Sequence, residues 1–228
     1  MKHMIMDGKL YTSRVEGNAM PTRMIRPLMG ILFVVIVFVA FVVGGETPQV
    51  DDSGRDIVSF YRDNETQQQI SAALLALACV AFLFFLSSVR QTLRGAMADR
   101  GGFSAVVFAG GIMITVGISI FAGIGFTLGD AADDLPGAAI LALNALNSNL
   151  FFPVAVGTAV FNLGLGFAIV RNGGLPRSLG WAAIVVGIAG ITPLGFFAFL
   201  ATGVVIIWAS IAITRLVKAP QSPSDVAP

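Results

Sequence analysis

A six-span, all-α membrane bundle is the fold class this chain predicts, and three observations carry it. Hydrophobic residues make up 56% of the 228 and charged residues only 12%, about half the charge of a soluble domain. The apolar residues fall in long charge-free runs rather than amphipathic stripes. The remaining charges gather in alternate connections with opposite sign.

Residues 1–26 are polar and mixed in charge, with methionines at 1, 4, 6, 20 and 24, and read as a disordered cytoplasmic tail. The first span, 27–43, follows Arg23 and Arg26. Its basic flank, apolar core and trailing Gly44 and Gly45 also fit a signal sequence, whose removal would leave the other spans unchanged. Residues 44–69 form the longest polar insertion, with six acids against Arg55 and Arg62. Within it Ile57, Val58, Phe60 and Tyr61 recur at helical spacing after Asp52 and Ser53, the pattern of a capped amphipathic helix on the membrane surface. Tyr61, Arg62 and Asp63 there have two readings: an extracytoplasmic partner patch, or an interfacial aromatic beside a local ion pair.

The second span is 70–89 and the third 103–128. The third carries Gly111, Thr115, Ser119, Gly123 and Thr127 at four-residue steps, a stripe of small residues suited to close helix packing. Asp130, Asp133 and Asp134 follow without a base, and 136–149 reads as an interfacial helix with proline in its first turn. Asn144, Asn147 and Asn149 then form its wet side or meet a polar headgroup. The fourth span, 150–170, holds no charge in 21 residues and ends at Arg171, so it covers about 30 Å, a bilayer's hydrocarbon thickness. Thr158, Asn162 and Gly166 share one of its faces. With Thr115 and Ser119 they define a candidate intramembrane polar site, the third span being the expected partner of Asn162.

Residues 179–213 are again apolar, but about 52 Å as one helix exceeds any bilayer. Two spans, 179–192 and 194–213, broken at Thr192-Pro193-Leu194-Gly195, resolve this, and 216–228 reads as a second disordered tail. With six spans, one set of connections holds 12 basic and 4 acidic residues, net +8. The other set holds 2 basic and 9 acidic, net −7. The positive-inside rule then puts both termini in the cytoplasm.

The chemistry available is narrow. No Asp, Glu, Lys, Arg or His lies inside a span, which argues against a proton-coupled pump. His3 and Cys79 are the only residues of their kinds, too few for haem ligation, a zinc site or a Ser-His-Asp triad. There is no phosphate loop and no basic block for nucleic acid. Neither an enzyme nor a cofactor is expected.

The segments LPRSLGW (175–181), GETP (45–48), YRDN (61–64) and TPLGFFAFL (192–200) resemble a group of uncharacterised six-span bacterial membrane proteins of actinobacterial type. The similarity covers 27–215. It implies six helices and a bacterial cytoplasmic-membrane location, and brings no functional residue with it. The function expected is that of an accessory or interaction protein, whose partners are the lipid bilayer and a membrane protein or second copy bound through small-residue helix faces. The alternative is a transporter or lipid/small-molecule binder with its polar site around Asn162. An opening that reaches Asn162 distinguishes the two.

Overall fold

The computed structural model describes residues 19–95 and 102–218, with side chains from Ile25 onward. Eight helices and no strands occur among the described residues. They are α1 (Ala19–Gly44), α2 (Gly54–Asp63), α3 (Glu65–Gly95), α4 (Phe103–Asp130), α5 (Gly137–Asn149), α6 (Phe151–Asn172), α7 (Arg177–Gly190) and α8 (Gly195–Lys218). The expected tail 1–26 is shortened, because α1 begins at Ala19; residues 1–18, and those after Lys218 in the second tail, lie outside the described residues.

Five helical stretches are long and apolar enough to cross a membrane, the fourth being α5 and α6 taken together over Gly137–Asn172. Those 36 residues would measure about 54 Å in one straight line. Pro153 interrupts them: its ring excludes the carbonyl of Asn149 from helical geometry, and the chain turns at Leu150. The sixth apolar helix, α7, has 14 residues, about 21 Å. It ends in a turn where Thr192 Oγ1 donates to Ala189 O (2.7 Å) and accepts from Leu194 N (3.2 Å).

The six apolar helices form a ring in chain order, α1-α3-α4-α6-α7-α8, which closes between α8 and α1. Neighbours run antiparallel. Along α1 and α3, Phe33 stacks on Phe82 while Ser71 Oγ donates to Ala40 O. On α4 and α6, Gly110 lies at Phe161 and Gly117 at Val154. Since α6 and α8 run parallel, with Phe151 beside Phe196 and Asn162 beside Thr202, α7 must carry the chain back between them.

Small residues set the helix spacing. A Cβ on Gly157 would stand 2.8 Å from the backbone N of Ile114, so only glycine lets α6 approach α4 this closely. The ring's centre is aromatic, Phe82 meeting Phe33, Phe85 and Phe161 at centroid distances of 4.4, 6.0 and 6.0 Å. Outward-facing positions are large and apolar, among them Phe38, Phe84, Val116, Phe167, Val185 and Val204. An apolar exterior around a small-residue interior fits a chain solvated by lipid. This is a multi-pass α-helical membrane protein by length and composition of its helices.

Helices α2 and α5 cap one end of the ring. Ser53 accepts from Asp56 N (3.2 Å) to start α2, whose Ile57 and Tyr61 pack with Leu128, Ala132 and Ile140. The amphipathic helix expected on the membrane surface therefore lays its apolar face on protein.

Candidate functional site

Asn162 and Thr158 are wholly buried on α6. Asn162 Nδ2 donates to Thr158 O and to Thr202 Oγ1, each at 2.8 Å, and Thr202 Oγ1 donates onward to Ala198 O at 2.7 Å. The amide's orientation follows from this network: turned over, its oxygen would face the Thr158 carbonyl, acceptor against acceptor. Asn162 Oδ1 and Thr158 Oγ1 are left without a partner. The partner of Asn162 is thus α8, not the third span as the sequence suggested. Thr202 is a residue the sequence reading missed, its only signal being a hydroxyl in an apolar run.

Thr115 and Ser119 face the other way. Thr115 Oγ1 donates to Gly111 O (2.9 Å), Cys79 Sγ donates to Thr115 O (3.6 Å), and Ser119 Oγ donates to Cys79 Sγ (3.5 Å). This polar seam joins α4 to α3 and does not meet Asn162. The expected four-residue stripe also breaks up, since Gly123 and Thr127 are exposed.

At the capped end Tyr61 is 1% exposed, so it is withdrawn from the expected surface patch. Its hydroxyl donates to Asn144 Oδ1 at 2.7 Å, and Asn144 Nδ2 donates to Pro48 O at 3.4 Å. These two bonds tie α2, α5 and the 45–53 loop together. Burial pushes the Tyr61 phenol up to about 12. Arg62 Nε donates to Ala132 O (3.1 Å) and lies 3.4 Å from the exposed Asp133 carboxylate, a bridge across the cap rather than the local pair with Asp63. Asp63 is exposed beside it.

The asparagines of α5 divide in the same way. Asn149 is exposed, whereas Asn144 and Asn147 are 2% and 5% exposed. Three-residue spacing places those two on one face, and that face turns under the cap rather than to water. Asn147 Oδ1 has no partner.

Three voids follow α1 toward this end. One, of about 340 Å³, opens between α1 and α8 at Phe38 and Leu200 and reaches inward to Ile114 and Thr202. The next, about 250 Å³, shares Val37, Phe41 and Phe199 with it and ends at Asn147 and Ser148. A third, about 60 Å³, continues past Asn147 to Gln68 and Ser71. Asn162 and Thr158 line none of these three.

No family model, curated protein or solved structure matches the chain. The residues themselves therefore carry the functional argument.

Proposed function

We propose that this chain is a six-span integral protein of a bacterial cytoplasmic membrane, with both termini cytoplasmic, that works as an accessory or interaction protein without catalytic chemistry. Helix directions support the six traverses: α6 and α8 run parallel with the short α7 between them. Charge supports the orientation. Arg26, Arg90, Arg94, Arg171, Arg177 and Arg215 cluster at one end of the ring, and the acids of 46–65 and 130–134 at the other. The likeness of LPRSLGW and its companion segments to the six-span actinobacterial-type group is this proposal's only family link.

One observation favours the accessory role over transport: Asn162 and Thr158 of α6 are sealed. Asn162 is 0% exposed and spends its amide protons on α6 and α8, which is a tie between helices rather than a stop on a path. Two substitutions test it. Asn162→Leu removes one interhelical bond but also an orphaned oxygen, so the net cost should be about 1 kcal/mol or less. Asn162→Asp puts an acid where no water reaches and no base stands, and should lower the detergent melting temperature clearly. Equal melting of the two variants means a hydrated site, and the transporter reading replaces this one.

A further inference from the structure

We infer that the cleft between α1 and α8 is a binding site for a neutral, single-chain amphiphile of the monoacylglycerol type, with its chain in the cleft and its hydroxyl head at Asn147. The site is open at the side. α1 and α8 touch where Gly30 meets Ser210, and further along Val34 lies beside Gly203; toward the acidic end the cleft opens between them. Its mouth, at Phe38 (69% exposed) and Leu200 (51% exposed), faces the same surroundings as the outer helix faces. A ligand would therefore enter from the lipid rather than from water.

The lining sorts by polarity along α1. Around Phe33, Phe38, Ile114 and Ile206 it is almost wholly apolar, which suits hydrocarbon and offers nothing to a head group. Apart from Thr202 in the first void, whose hydroxyl is already committed to Asn162 and Ala198 O, polar side chains line only the far end, where Thr47, Gln49, Asn147 and Ser148 meet the second void. Asn147 is 95% buried with Oδ1 unpaired, and an orphaned amide oxygen is costly until a donor arrives. A hydroxyl supplies that donor. The two adjoining volumes, about 340 and 250 Å³, taken together fall in the range of roughly 300–1,000 Å³ typical of small-ligand sites.

Charge excludes the commoner lipids. None of the residues lining the three voids is Asp, Glu, Lys or Arg, so neither a phosphate nor an ammonium head would find a counter-charge to offset its desolvation. A glycerol head needs none.

The experiment is photolabelling of the full chain in phosphatidylcholine nanodiscs with a monoacylglycerol that carries a diazirine in its acyl chain. Adducts should map to α1 and α8 around Phe38 and Leu200, and unlabelled 1-oleoylglycerol should compete while lysophosphatidic acid does not. Asn147→Leu should cut labelling at least five-fold while melting no lower than the parent, because it deletes an orphaned polar atom. Gly203→Leu should cut it as much by filling the cleft; its Cβ would lie 3.5 Å from Val34 Cγ1, an ordinary contact. Val185→Leu, on the outer face of α7, should change nothing. Adducts spread evenly over the lipid-facing surface, labelling unchanged in folded Gly203→Leu or Asn147→Leu, or equal competition by the phosphate lipid would each overturn the assignment.

Discussion

Tyr61 shows how much a single buried hydroxyl decides. Its bond to Asn144 holds the cap, and its folded-state pKa stands near 12 against 10 for a free phenol. Because the folded value is the higher, the phenol contributes fully below pH 10, and stability drains as pH rises through 10 toward 12. Tyr61→Phe should cost about 1 kcal/mol or somewhat more at pH 7, since Asn144 Oδ1 loses its donor. The parent should lose about 1.4 kcal/mol relative to the variant by pH 11, enough to close or reverse that gap, because only the parent has a phenol to ionise. Melting curves of both proteins from pH 7 to 11 check it. The sequence showed Tyr61, Arg62 and Asp63 as neighbours in a polar insertion but could not show which way the ring faces. That depends on Leu128 and Ile140, whose contact with α2 no local pattern encodes. Asn162 was legible as a polar residue needing a protein partner; the choice of Thr202 over Thr115 was not, because both are hydroxyls in apolar runs.

Among the helices, the six apolar ones were legible from charge-free length, five stretches being long enough to cross a membrane, whereas their facing surfaces were not. α4 contains Gly110, Gly111, Gly117, Gly123 and Gly125, so glycine appears on most of its faces and spacing alone cannot choose a seam. In the structure Gly110 and Gly117 meet α6, Gly111 meets Leu86 of α3, and Gly123 meets nothing within 4 Å. This divides two substitutions that look alike in sequence. Gly157→Ala drives a methyl against the backbone of Ile114 and should destabilise by about 1–3 kcal/mol, the cost of overpacking. Gly123→Ala should be neutral or stabilise by up to about 1 kcal/mol through helix propensity. Thermal melting in one detergent ranks the pair; a Gly157→Ala protein as stable as Gly123→Ala would mean that α4 and α6 are not in close contact.

At the scale of the whole molecule, charge and hydropathy made the architecture readable because a bilayer constrains length and sign more strongly than packing does. The structure has six apolar helices in a chain-ordered ring, with most of the described bases at one end and the described acids, joined by Arg55 and Arg62, at the other. An alkaline phosphatase fused after Lys218 should therefore be inactive, and one inserted at Val50 in the acidic loop active; the opposite result would invert the topology. The cleft was illegible, since a gap between helices distant in sequence leaves no periodic trace. Ring closure by the first and last helices also sets an order in time. During synthesis α3, α4, α6 and α7 can each settle against the apolar helix made before it, but the contact that closes the ring must wait for α8. Until α8 is made, Asn162 has no Thr202, and the side of α1 that meets α8 is bare. A nascent chain halted before Gly195 is thus an open crescent in which Asn162 keeps its bond to Thr158 O but lacks the one that ties it to α8.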